Sequence, residues 1–212
     1  MRQWLRKCRL VFTGSAGTLT IEDLKIGFQI QKSITSSPNT GTITITNMNR
    51  THRGMIGEEY DRVRLEAGYQ GTAGAEGNVG TLFDGFIRDV THQRDNTDIT
   101  TTIEAGDGDK ARRQTRVAKT YPAGTTPKAI VEDLQGQMDD VDLGVIDGFD
   151  DAPAFARPYV AWGPVSAVLD DLGRAFGVFW SVQDGALETI PDAGAIEDVV
   201  VLTPETGLVA TP

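Results

Sequence analysis

Between residues 26 and 108 apolar and polar side chains alternate almost without a break. Ile26, Phe28 and Ile30 open the run, Ile43 and Ile45 continue it, Val63, Leu65, Ala67 and Tyr69 follow, and Ile99, Thr101, Ile103 and Ala105 complete it. A period of two is the signature of half-buried strands. Cys8, Leu10 and Phe12 predict a first strand that ends at the turn Gly14–Gly17, and further strands are predicted over 26–32, 42–46, 61–69, 82–90 and 98–105. Asn47 to Thr51 can cap a short helix through Met55 and Ile56. Strands this closely spaced and joined by short turns predict a small β-barrel or sandwich.

The pattern changes at Gly106. Thr125 or Thr126 caps a helix with Pro127 in its first turn and Ile130, Val131, Leu134 and Met138 on one face. A second helix begins at Pro164, with Val165, Val168, Leu169, Leu172 and Phe176 on its apolar side and Gly177 as its stop. Val178–Val182 and Leu187–Ile190 form a hairpin around the tight turn Asp184-Gly185. Residues 139–158 read as an irregular acidic loop, and Val199–Leu202 as one further strand. The fold class is therefore mainly β with an α+β part: a β-barrel over 1–107, a two-helix plus hairpin unit over 108–198, and a strand within 199–212.

Charge sharpens this division. Of 20 basic and 30 acidic side chains, residues 1–107 hold 12 and 13, and residues 108–212 hold 8 and 17, so nearly all of the net −10 lies in the second part. Five of those eight basic residues form one run, Lys110, Arg112, Arg113, Arg116 and Lys119. An acidic body argues against general nucleic-acid binding, which needs a basic face to neutralise phosphate. Cys8 is the single cysteine, which excludes an intrachain disulfide and a structural zinc site. The basic residues near the start are followed by Gly14–Gly17 and not by an unbroken apolar stretch, so no signal peptide is read, and no apolar run reaches the ~20 residues of a membrane helix.

Candidate chemistry is sparse. His52 and His92 have no second metal ligand at a useful spacing. Asp107-Gly108-Asp109 opens like a calcium loop but meets Ala118 at the twelfth position, where a Glu is required. Residues 71–80, GTAGAEGNVG, lack the Lys-Ser/Thr ending or following helix of a phosphate loop and read as a hairpin loop. Carboxylates are plentiful enough for a glycosidase pair, but Trp162 and Trp180 fall in or beside packed elements and do not line a sugar cleft. No nucleophile elbow, Walker loop or dinucleotide fingerprint is present. The reading is of a building block with no catalytic, cofactor-binding or metal-binding residues.

Several passages resemble the baseplate hub proteins of bacteriophage tails, which share a fold with the first part of type VI secretion spike proteins. They are FQIQKSITSSPNTGTITITN at 28–47, with its Pro-Asn loop and Thr/Ile strand ending in Asn, DRVRLEAGY at 61–69, LFDGFIRDV at 82–90 and IEAGDG at 103–108. Behind them YPAGTTPKAIVEDL resembles the loop and first helix of the inserted α+β unit. GPVSAVLDDLGRAFGVFWSVQDGALETIP resembles its second helix and hairpin, and VVVLTPETGLVATP the passage into a second barrel. The resemblance marks Asn39, Asn47, Gly68, Tyr69, Phe83, Gly85, Asp107 and Gly108 as structural motif residues.

The resemblance implies a tube-type barrel and a non-enzymatic structural role. Copies of the chain would form a ring, a trimer or a hexamer, connecting the tail tube to the central spike or fibre and lining the DNA passage. Gly71, Gly74, Gly77 and Gly80 would belong to a loop that orders against a neighbour. Expected partners are other copies, a tail tube or distal tail protein, the spike or fibre protein and the tape measure protein. DNA would pass without specific binding, no membrane would be involved, and the protein would reside at the virion tail tip after assembly in the host cytoplasm. A tail-tube adaptor or terminator subunit and a tail-associated peptidoglycan hydrolase are the alternatives. Hubs of this kind usually continue into a second barrel. This chain stops at Pro212, which leaves that half to a separate polypeptide, a longer chain or a shortened variant.

Overall fold

Leu10 and Phe12 are fully buried on one side of the strand Arg6–Gly14 (β1), with Arg9, Val11 and Thr13 alternating on the other. A computed structural model of the chain describes residues 6–34, 36–69 and 78–192. The Gly14–Gly17 turn ends the first strand, as expected. It reverses the chain into a further strand, Gly17–Ile21 (β2), which pairs back on β1. Ile26–Gln31 (β3), Thr40–Thr46 (β4), the helix Arg50–Met55 (α1), Tyr60–Tyr69 (β5), Gly80–Asp95 (β6) and Asp98–Gly106 (β7) follow. Asn49 caps α1 by accepting from the His52 N–H at 2.8 Å.

These strands form one antiparallel sheet of seven in the order β2-β1-β5-β6-β7-β4-β3. Residues 80–86 of β6 pair with β5, and residues 86–95 pair with β7. The buried face gathers Leu10, Phe12, Ile21, Ile43, Ile45, Val63, Leu65, Phe83, Ile103 and Ala105 into one cluster, with Met48, Ile56 and Tyr60. In a flat sheet β1 and β4 would stand about 19 Å apart at ~4.8 Å per strand. Fully buried residues from both in one cluster mean that the sheet curls over its own apolar face. Its end strands β2 and β3 do not pair with each other. The closed barrel expected from the sequence is thus found as an open, curled sheet.

The basic run after Gly106 is part of the folded second unit. It folds into the helix Asp109–Gln114 (α2) and the strand Arg116–Tyr121 (β8). Pro127–Gln135 (α3) starts as expected, with the Thr126 hydroxyl accepting from the Ala129 N–H at 3.3 Å and Pro127 in the first turn. The stretch 139–158 contains the strand Asp142–Ile146 (β9), and Tyr159–Pro164 (β10) follows it. Val165–Phe176 (α4) ends at Gly177, which adopts φ 67°. Val178–Gln183 (β11) and Ala186–Pro191 (β12) form the expected hairpin, and Asp184 and Gly185 both take the positive φ, 52° and 88°, that a tight primed turn requires.

The second part is thus richer than two helices on a hairpin. β8 and β10 make a two-stranded ribbon, and β9 adds in parallel to β12. A second buried cluster includes Val117, Tyr121, Ile130, Leu134, Val165, Leu169, Leu172, Trp180 and Leu187. Trp180 is buried and donates its indole N–H to Asp170 at 2.7 Å, whereas Trp162, expected to be packed, is 76% exposed. The strand expected over Val199–Leu202 lies outside the described residues.

Candidate assembly site at the sheet–hairpin junction

Three of the eight motif residues meet where the β11–β12 hairpin touches the seven-stranded sheet. Asn39 stands just before β4 and is 1% exposed. Its side-chain carbonyl accepts from the Ser33 N–H at 2.8 Å, and its amide donates to the Val182 carbonyl at 2.9 Å and the Gln183 side chain at 3.0 Å. Gln183 in turn donates to the Ser33 carbonyl at 2.8 Å and the Ser181 hydroxyl at 3.0 Å. The Asp107 N–H donates to the Asn39 carbonyl at 3.0 Å, so the start of β4 and the end of β7 are joined at the point of contact.

Asp107 is 2% exposed. One carboxylate oxygen accepts from the Gly185 N–H at 3.1 Å, while the other is buried without a hydrogen-bond partner. Burial drives its pKa up from 3.8 to about 7. The charges of Asp184 and Asp84 add to the rise, and the backbone N–H groups of Asp184 and Gly185 oppose it. Gly108 is obligatory for two reasons. Its φ is +59°, and a Cβ there would stand 2.7 Å from a Val182 methyl. Lys32 closes the rim with an ion pair to Asp184 at 2.6 Å.

The sheet side of the junction carries a second polar group. Asp84 is 1% exposed and accepts from the Nε–H groups of Arg62 at 2.7 Å and Arg64 at 2.8 Å. Burial alone would lower the Arg62 pKa, but the hydrogen bond and charge of Asp84, helped by Asp140 and Asp107, raise it. The Arg62 guanidinium lies over the Phe86 ring, 5.6 Å from its centroid, and a side chain at Gly185 would meet it at 2.6 Å.

The other motif residues serve the sheet. Asn47 adopts φ 59°, accepts from the Ile99 N–H at 2.9 Å and donates to Asp98 at 2.9 Å, tying the end of β4 to the start of β7. A Cβ at Gly68 would lie 2.4 Å from the Asn78 carbonyl oxygen, and the Tyr69 N–H donates to the Asn78 side chain at 2.8 Å. Phe83 is fully buried, and Gly85 gives its ring room, since a Cβ there would stand 2.6 Å from it. Of the proposed assembly loop, Gly80 opens β6 and is exposed, and Gly71, Gly74 and Gly77 lie outside the described residues.

Among the described residues no three or more His, Cys, Asp or Glu side chains converge to hold a metal ion. His52 contacts the Asn49 side chain at 3.1 Å and His92 the Thr101 hydroxyl at 3.0 Å. The geometry joins two folded parts through a buried polar seam. Ser33, Gln183 and Asp184 carry that seam and are not distinguishable in the sequence from ordinary loop and turn residues.

No family model matches the sequence, and no curated protein matches it. Solved structures do match the fold. A 43 kDa tail protein of prophage MuSo2 from Shewanella oneidensis is 11% identical with a TM-score of 0.59, covering 85% of this chain and 53% of its own. A tail protein from Neisseria meningitidis is 12% identical with a TM-score of 0.60, covering 88% of this chain and 50% of its own. A chain of the Francisella PdpA–VgrG complex is 8% identical with a TM-score of 0.55, covering 88% of this chain and 31% of its own. This chain spans about half the length of the two tail proteins and about a third of the third match. The chain therefore has the fold of a part of these phage tail proteins and of a part of the matched chain of the PdpA–VgrG complex, as the landmarks of the sequence imply.

Proposed function

We propose that the chain is a structural, non-catalytic subunit of a phage-type tail. In this reading copies assemble into a ring of the baseplate hub that joins the tail tube to the central spike or fibre. Residues 1–107 build the ring and 108–198 form the unit attached to it. The observation that carries the reading is the extent of the fold likeness. The tail protein from Neisseria meningitidis covers 88% of this chain, more than either the sheet or the α+β unit alone supplies. With 12 basic and 13 acidic side chains, residues 1–107 have no basic excess, which suits a wall past which DNA slides without adhering. The Tyr69–Asn78 pairing, which brings together the residues flanking 70–77, supports a role for that segment as a loop that contacts a neighbour.

Antibody labelling of tailed particles from a producing host, with negative-stain imaging of the purified chain, tests the proposal. Label at one end of the tail and rings with a central opening are expected. Particles that carry no label would overturn it. Deleting residues 71–77 is expected to leave the monomer folded and abolish the rings. A suspension of purified cell wall is expected not to clear on addition of the protein.

A further inference from the structure

The outer face of the seven-stranded sheet holds a small cleft beside the seam. Arg62 and Arg64 alternate along β5, so both side chains leave the sheet on one side. Across the ladders Thr13 pairs with Arg62, Val11 with Arg64, and Asp84 with Arg64, so all of these side chains share that side. Together they line a cleft of about 260 Å³. The same three strands pack Phe12, Val63, Leu65 and Phe83 into the core on the opposite face.

Asp84 is buried and takes the Nε–H of both arginines, at 2.7 Å from Arg62 and 2.8 Å from Arg64. It holds the two guanidiniums in place without covering them, since Arg62 stays 25% and Arg64 50% exposed. Among the described residues Arg64 donates to nothing else, which leaves both of its Nη groups open to a ligand. The next acid on this side of β5, Glu66, does not compete for them, because Arg9 already binds it at 2.8 Å. An arginine fixed in advance loses little side-chain freedom when it binds.

Charge and size narrow the ligand. Two guanidiniums and one carboxylate leave a single positive charge, which one monoanion neutralises. A phosphate dianion would overshoot, and it would do so next to Asp84, with the charges of Asp140 and Asp107 also reaching Arg62. The cleft is smaller than the ~300 Å³ at which pockets for whole small molecules begin, so it suits one group on a larger molecule. The paired Nη–H groups of a guanidinium match the two oxygens of a carboxylate. We propose that this cleft binds a carboxylate carried by a partner protein, on an acidic side chain or at a chain end. Arg64 clamps it through its Nη–H groups, Arg62 supplies the second positive charge, and the Thr13 hydroxyl lies beside them. The site stands on the sheet geometry alone and does not depend on a tail role.

Titration of the whole chain, read by NMR at the arginine Nε–H signals, tests the site. Two probes each carry one carboxylate: N-acetylglutamate α-amide stands for an acidic side chain, and N-acetylalanine for a chain end. The Arg62 and Arg64 signals are expected to shift and saturate with at least one of them, and the tighter probe identifies the source. Sodium chloride at the same ionic strength is expected to leave both signals in place. Arg64→Ala is expected to bind about tenfold more weakly, the loss of its charge-assisted hydrogen bonds. Arg64→Lys keeps the charge without the paired donors and is expected to bind nearly as poorly. Backbone amide spectra that match the parent's show that both variants are folded. Signals that respond to neither probe, or equally to chloride, would overturn the proposal, as would parent-like binding by either variant. Equal or tighter binding of inorganic phosphate or of a short DNA duplex would overturn the choice of a carboxylate.

Discussion

The amide of Asn39 reaches the side chain of Gln183 at 3.0 Å across 144 positions of sequence. With the bonds to Val182 and Ser33 and the Asp107 N–H on its backbone carbonyl, it makes Asn39 a four-way connector between the sheet and the hairpin, with almost no exposed surface to exchange its partners for water. Replacing it by Ala leaves buried donors and acceptors unpaired. Asn39→Ala is expected to cost about 2–4 kcal/mol in chemical denaturation. Asn39→Asp keeps the acceptor for Ser33 but loses the donor to Val182, and is expected to fail comparably. An unchanged denaturation midpoint in both would show that the seam is not held by Asn39.

Asp107 makes stability depend on pH. Its folded pKa, about 7, lies above the ordinary value of 3.8. Below the ordinary value both folded and unfolded chains hold the proton, and the stabilisation is fully present. As pH rises the unfolded chain releases its proton first. Stability falls progressively until the folded group also ionises near pH 7, and the loss then levels off. The full span is roughly 4 kcal/mol at most. Urea denaturation between pH 5 and 8 is expected to show this decline in the parent, and Asp107→Asn is expected to flatten it. A variant with the parent's slope would assign the pH dependence to another group.

Asp84 and Arg64 form one ion pair with unequal consequences. The carboxylate is 2% exposed and serves two guanidiniums, whereas the Arg64 side chain is 50% exposed. Asp84→Ala strands the partly buried Arg62 and is expected to destabilise by about 3 kcal/mol. Arg64→Ala removes a solvent-screened partner and is expected to cost about 1 kcal/mol or less. Melting temperatures of the two variants check the order, and equal shifts would show that the pair is not anchored on Asp84.

Local patterning carries much of the architecture. The alternation at Val63 and Leu65, the cap at Thr126 and Pro127 and the Asp184-Gly185 turn are all visible in sequence, because each is decided by neighbours a few residues away. What escapes is long-range. β2 offers only Leu19 and Ile21 as its apolar signal, and Gly14–Gly17 reads equally well as an end or a reversal. β9 and β10 are short and bordered by Asp, Gly and Pro, which mimic loop composition. Trp162 occupies a strand whose alternate residues are buried, and nothing local says which face meets the core. At the seam, Asn39 and Asp107 sit in recognisable motifs, but Val182, Gln183 and Gly185 become their partners only through the topology of the whole chain.

The positive φ pair at Asp184 and Gly185 lets the β11–β12 hairpin form from its own few residues, on the microsecond scale of isolated hairpins. Its seat on the sheet requires β4 and β7 to be aligned already, since Asn39 and Asp107 come from their ends. Folding is therefore expected to finish with the docking of a preformed tip into a finished socket. Closing that long loop, and not making the turn, is expected to set the pace of the last step.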